Sequence, residues 1–146
     1  MNKKKKLKAG VIGLGVGAHQ ARTLSLHPNI ELVWLCDLNK DKLLEINNEL
    51  NKTKTTHNSE DVLKDKDIDL VCIASYDQFH FEQVIMALNN GKHVYVEKPI
   101  CLSKTGAKKI IKKLSEFSDL RLSSNMVLRT CPLFKKIKED INSNMM

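Results

Sequence analysis

Leu7-Lys8-Ala9-Gly10-Val11-Ile12-Gly13-Leu14-Gly15-Val16-Gly17-Ala18-His19 reads as a strand, a glycine-rich turn and the start of a helix. The apolar run Ala9–Ile12 breaks at Gly13, and from Gly17 to His27 apolar residues recur at helical spacing (Ala18, Ala21, Leu24). In that order the three pieces open a mononucleotide-binding βαβ unit. Gly13 permits the tight turn, Gly15 lets backbone N–H groups approach a pyrophosphate, and the small Ala18 allows the helix to pack close to the strand. The first turn of the helix adds N–H donors and a positive dipole end for phosphate. A glycine turn with no ligand is the plain alternative for this stretch taken alone.

The next apolar run, Ile30–Cys36, ends at Asp37, 24 residues beyond Gly13. A carboxylate at the tip of the second strand is placed to accept hydrogen bonds from the ribose hydroxyls of an adenosine. It would also repel a 2′-phosphate, which favours NAD, although Lys40 and Lys42 leave NADP open. The alternative for Asp37 is a turn or cap residue ahead of Asn39.

Composition narrows the remaining classes. With 146 residues, 42% hydrophobic and 28% charged, the chain has the content of one soluble globular domain. The formal charge of +7 suggests nucleic acid, but Lys3, Lys4, Lys5, Lys6 and Lys8 supply most of it, leaving 19 basic against 17 acidic residues. No aromatic platform accompanies the lysines, so nucleic-acid binding is not expected. Residues 1–8 therefore read as a basic tail and 9–146 as a dinucleotide-binding domain. The four glycines between Gly10 and Gly17 make a poor signal peptide, and no run of 18 apolar residues spans a membrane. Cys36, Cys72, Cys101 and Cys131 lack metal-ligand spacing and read as reduced thiols; the expectation is a cytoplasmic protein without a metal.

Along the chain, Asn39 caps a helix through Leu50, a polar strand follows at 53–57, and Asn58-Ser59 caps a short helix. Ile68–Ala74 is a buried strand, 78–90 a helix closed by Gly91, and His93–Glu97 strand five. Ser103 caps a lysine-rich helix with Ile110, Ile111, Leu114 and Phe117 inward; Leu120–Ser123 is strand six and Pro132 opens a last helix. This alternation predicts an α/β fold, a doubly wound parallel sheet of about six strands with flanking helices.

Ligands of such sheets lie beyond the carboxyl ends of the strands. Besides the glycine turn and Asp37, that rim receives Ser75–His80, Glu97-Lys98-Pro99 and Asn125–Arg129. Pro99 forces Lys98 into extended backbone, and a cis Lys98–Pro99 bond is open. A partly desolvated lysine beside a nicotinamide could exchange a proton with a substrate hydroxyl; the plain alternative is a surface lysine in a Pro-terminated loop. His80 is either a second group of that kind or an ordinary helix histidine.

Together, Gly13–His19, Asp37, Ala74-Ser75-Tyr76-Asp77-Gln78-Phe79-His80, Gly91-Lys92-His93-Val94, Glu97-Lys98-Pro99, and Arg129 with Pro132 resemble the Gfo/Idh/MocA oxidoreductases. The resemblance implies a Rossmann domain that uses NAD or NADP on sugar- or cyclitol-like substrates. It implies cofactor contacts from Gly13, Leu14, Gly15, Val16, Gly17, Ala18, Asp37, Ser75, Asp77, His80, Glu97, Lys98 and Arg129. Lys98 matches the family's catalytic lysine, with His80 beside it. Tyr76-Asp77 departs from the Pro-Asn of many relatives. Relatives also continue into a substrate domain with an Asp-x-x-x-His motif, absent from these residues, so the chain looks like the cofactor half of an enzyme that forms homo-oligomers only at full length. A non-catalytic NAD-binding module is the alternative. An S-adenosylmethionine methyltransferase fits Gly13, Gly15 and Gly17, but Val11 stands where that motif has an acid.

Overall fold

The structure, a computed structural model, describes residues 5–50 and 53–143. The first four residues of the basic segment, residues 51–52 and residues 144–146 lie outside it. Strand β1 (Leu7–Ile12) runs into the glycine turn, followed by α1 (Gly17–Leu26), β2 (Ile30–Cys36), α2 (Lys40–Leu50) and β3 (Lys54–Thr56). The second half repeats the alternation with α3 (Ser59–Lys64), β4 (Leu70–Ile73), α4 (Asp77–Asn89), β5 (His93–Val96), α5 (Lys104–Ser115) and β6 (Leu122–Ser124). A single 3₁₀ turn (Val127–Arg129) and α6 (Pro132–Asn142) end the described chain. All strand pairs are parallel, in the order β3-β2-β1-β4-β5-β6. The doubly wound sheet expected from the sequence is therefore present.

Alternate residues of each central strand feed two separate cores. Val11, Leu35 and Cys72 pack with Leu14, Ala18, Ala21, Leu43 and Ile46 under α1 and α2. Ile12, Val71, Ile73, Val94 and Val96 pack under α3, α4 and α5 with Val62, Leu63, Val84, Leu88 and Ile110. Both faces of the sheet are covered at its centre, which is why the central strands are mostly apolar, while the edge strands β3 and β6 are polar.

Local signals set most element ends. Asn58 Oδ1 accepts from Glu60 N–H, Ser103 Oγ from Gly106 N–H, and Asn39 Oδ1 from Lys42 N–H, each at 3.0 Å. Gly91 has φ +69° at the end of α4, as its position after the helix implied, and Pro132 opens α6.

Some expectations shift. β1 begins at Leu7, so Leu7 and Lys8 belong to the sheet rather than to a tail; Lys8 N–H donates to Asp69 Oδ2. β6 starts at Leu122, two residues late, because its register is set by pairing with Val94. Ile111 is 68% exposed, on the outer side of α5, since the helix turns only Ile110 fully inward. Close helix–strand contact falls on Gly17 as well as Ala18: a Cβ there would stand 3.1 Å from both Ala74 Cβ and Val11 Cγ1. Cys36 and Cys72 are buried, which pushes both thiols up to about 12; Cys101 and Cys131 are half-buried, and all four are free.

Two side chains, one buried and one partly buried, brace the α3–β4 loop with hydrogen bonds. Lys92, 1% exposed, donates from Nζ to the carbonyls of Asp65 and Ile68, and burial holds it below the usual lysine range. Trp34 Nε1–H donates to Asp65 Oδ2 at 2.7 Å; this bond first, and Asp67 N–H second, hold Asp65 below the usual carboxylate range.

A carboxyl lowered in this way stabilises the fold above its unfolded value of 3.8, and the contribution is lost as pH falls through its folded value. Trp34→Phe should cost about 1 kcal/mol or more at neutral pH. The gap from wild type should narrow as pH falls from about 5 to about 3. Urea unfolding followed by circular dichroism, since Trp34 is the one tryptophan, checks both.

Candidate functional site

With every strand parallel, all carboxyl ends face one rim. The chain leaves β1 toward β2 and β3, then returns to β4 on the other side, so a crevice opens where β1 and β4 meet. Gly13 sits there with φ +85°, and a Cβ on it would lie 2.3 Å from the carbonyl oxygen of Ala74. No L side chain fits that approach. Gly15 is different, with open space wherever a Cβ would go. Val16, at the head of α1, places no side-chain cap on the helix, leaving its first N–H groups without a side-chain partner.

The crevice is a cleft of about 820 Å³ lined by Gly13, Gly15, Val16, Asp37, His57 and Ser75 among others. Asp37 does more than stand at its edge. Its Oδ2 accepts from Leu14 N–H, and its Oδ1 accepts from Asn39 N–H at 2.7 Å. The carboxylate therefore fastens the glycine turn to the tip of β2 and fixes its own orientation. Leu14 turns its side chain into the core at 1% exposure, and Gly17 and Ala18 lie on the buried side of α1, so these three shape the cradle through their backbone.

Around the β4 and β5 tips the expected residues take different positions. Ser75 lines the cleft and donates from Oγ to Gln83 Oε1 at 2.6 Å. Asp77 begins α4 and is exposed. His80 is fully buried, with Nδ1 2.7 Å from Pro99 O and Nε2 3.0 Å from Ser75 O. Each ring nitrogen faces a main-chain carbonyl oxygen, which only accepts, so a neutral ring donates to one of them and His80 presents no nitrogen to a substrate; it sits between the β4 and β5 tips. Glu97, 7% exposed, accepts at Oε1 from Gln20 Nε2 (2.7 Å) and Asn125 Nδ2 (2.6 Å), joining α1 to the end of β6. Lys98 stands exposed beyond it, before a cis bond to Pro99. Arg129 is exposed on the 3₁₀ turn, beyond the β6 tip.

The sequence reading missed several groups of the site. His57, one residue past the short polar β3, and Gln83, inside α4, line the cleft without distinctive spacing, and Lys42 and Phe79 line it with them. Among the described residues no cluster of three or more His, Cys, Asp or Glu is arranged to hold a metal, and no helix is long and apolar enough to cross a membrane.

Open space at Gly15, uncapped amides at the head of α1 and a fixed carboxylate at the β2 tip fit a dinucleotide, with phosphate at the turn and ribose at Asp37. The fold and site are those of a dinucleotide-binding α/β domain. Residues 7–124 match the oxidoreductase family with an NAD-binding Rossmann fold known as Gfo/Idh/MocA, and the chain belongs to that family. A myo-inositol 2-dehydrogenase of Thermotoga maritima is 29% identical over 138 residues, covering 94% of this chain and 41% of the relative. The NAD(+)-dependent scyllo-inositol 2-dehydrogenase of Bacillus subtilis is 33% identical over 112 residues, covering 75% of this chain and 33% of the relative. The crystal structure of a scyllo-inositol dehydrogenase from Lactobacillus casei, with bound NAD(H) and scyllo-inositol, superposes with a TM-score of 0.85 at 26% identity. It is matched over 97% of this chain and 42% of that one. The chain thus spans less than half the length of these relatives, over the NAD-binding part that heads the family.

The two glycines separate fold from ligand. Gly13→Ala should cost about 2 kcal/mol or more, because strain and a backbone clash coincide there. Gly15→Ala should leave unfolding free energy within about 0.5 kcal/mol. It should nevertheless weaken NADH binding by at least about tenfold, since its methyl would occupy the phosphate cradle. Urea unfolding and calorimetric titration of both variants check the contrast.

Proposed function

We propose that the chain is the cofactor-holding part of an NAD-dependent oxidoreductase acting on a sugar- or cyclitol-like substrate. The nicotinamide, when bound, supplies or accepts the hydride exchanged with a hydroxyl-bearing carbon. The chain's own residues hold and orient. With Gly13 N–H bonded to Cys36 O and Leu14 N–H to Asp37, the Gly15 amide and those at the head of α1 would take the pyrophosphate, and Asp37 the adenosine ribose. Its carboxylate would repel a 2′-phosphate, which favours NAD over NADP.

At the other end of the rim, Lys98 is the group that would take a proton from, or return one to, the substrate oxygen as that carbon is oxidised or reduced. Its neighbours support the assignment. Glu97 is pinned by Gln20 and Asn125, and Pro99 O lies against His80, so the segment on either side of Lys98 is fixed while its side chain stays exposed, able to take a proton as the amine and return one as the ammonium. His80 acts here as a positioning residue. Ser75, Asp77 and Arg129 stand near the β4 and β6 tips, where the nicotinamide half of the cofactor would lie.

The observation that carries the reading is the cleft itself: a glycine turn with room for phosphate, next to a carboxylate held by two backbone amides. The inositol dehydrogenases among the relatives supply the substrate class. Titration of the chain with NADH should show saturable one-to-one binding, and no binding at millimolar NADH would sink the reading. Asp37→Ala should weaken NADH more than NADPH, moving the ratio of the two affinities toward NADPH. An unchanged ratio would remove Asp37 from that role.

A further inference from the structure

His57 stands one residue beyond β3, exposed, and lines the cleft beside Asp37. β3 has only three residues, yet its tip is held to β2 from both sides. Asp37 N–H donates to Thr56 O at 3.3 Å, and His57 Nδ1 lies 2.7 Å from the main-chain oxygen of Asp37. A carbonyl oxygen only accepts, so Nδ1 carries the hydrogen of that bond. In the neutral ring this leaves Nε2 as a bare acceptor, and it has no hydrogen-bond partner among the described residues.

The segment bearing the ring is stiff. Asn58 N–H donates to Thr56 Oγ1 at 3.0 Å, and the Asn58 side chain caps α3. His57 is therefore a fixed acceptor on a braced tip. Its place in the cleft follows from strand order: β1, β2 and β3 are successive neighbours, so their tips present Gly13, Asp37 and His57 in turn. A dinucleotide with its pyrophosphate at Gly13–Gly15 and its ribose at Asp37 carries its base onward toward β3. Lys42 faces the same space, but an ammonium has only donors and cannot accept from an amino group.

We propose that His57 reads the base of the cofactor, its Nε2 accepting a hydrogen bond from the 6-amino group of adenine. The chain thereby distinguishes adenine from hypoxanthine, which carries a carbonyl at that position. The inference rests on the dinucleotide reading above and assigns the specificity of its adenosine end.

The test titrates NADH and reduced nicotinamide hypoxanthine dinucleotide into the chain by calorimetry. Wild type should prefer NADH by about five- to tenfold, the worth of one such hydrogen bond. His57→Ala should erase the preference by weakening NADH while leaving the hypoxanthine form nearly unchanged. His57→Gln, which keeps an acceptor oxygen at similar reach, should restore part of it, and it carries the test if thermal unfolding shows the alanine variant to be damaged. Equal binding of both dinucleotides by wild type, or equal weakening of both by His57→Ala, would overturn the assignment while leaving the cofactor reading standing. Binding of neither would overturn both.

Discussion

The last rung of each parallel ladder holds the site together. Gly13 N–H donates to Cys36 O at 2.8 Å, Ala74 N–H to Ile12 O at 2.7 Å, Glu97 N–H to Ile73 O at 2.8 Å, and Asn125 N–H to Val96 O at 2.9 Å. Each donor is the first residue past its strand. The residues that turn toward a ligand are therefore also those that close the sheet, and their positions follow from register. A slip of one residue in any pair would move a tip by about 3.3 Å and turn its side chain to the opposite face. Sheet order then decides what the rim looks like. Because the chain reverses direction between β3 and β4, the tips of β1 and β4 have no connection running over them, and that is where Gly13 meets Ala74.

This coupling explains why much of the architecture was legible in the sequence. β2 could be bounded at Ile30 and Cys36 because its apolar run is closed by His-Pro-Asn on one side and Asp on the other. Asn58, Ser103 and Gly91 mark helix ends by chemistry that acts within four residues. The 3₁₀ turn at Val127–Arg129 carries no such mark and was not foreseen. Ile111 illustrates the limit of periodicity: two adjacent isoleucines on a helix lie about 100° apart, and only contact with the sheet decides which one is buried. Gly10 shows the same limit in a strand. Its reason is Val62 of α3, whose Cγ1 lies 2.4 Å from where a Cβ would stand, a contact 52 residues away in sequence.

The string from Gly91 to Pro99 is a second case in which residue type and role separate. Lys92 and Lys98 flank the four residues of β5 at opposite ends. The one before the strand is drawn into the protein floor, its ammonium spent on two carbonyls of the α3–β4 loop. The one after the strand emerges at the rim. No property of the lysines themselves distinguishes them; the direction of the strand does, since a parallel sheet sends every carboxyl end to the same side. The two histidines divide likewise. His80 has a carbonyl of the fold facing each ring nitrogen, whereas His57 has one facing Nδ1 alone.

A polar side chain near a strand tip can act on a ligand only with donors or acceptors left over after the fold has been satisfied. Counting those remainders shows what each residue here has left. His80 faces a main-chain carbonyl at each ring nitrogen and helps keep the β4 and β5 tips where they are, while Glu97 gives Oε1 to Gln20 and Asn125 and has no hydrogen bond at Oε2 among the described residues. Asp37 takes one backbone amide on each oxygen, and a carboxylate has about four acceptor sites, so about two remain. Its structural bonds aim those remaining sites, since a carboxylate fixed by the glycine turn cannot rotate away from the cleft beside that turn. The hydrogen bonds that fold this rim are thus the same ones that orient its free acceptors.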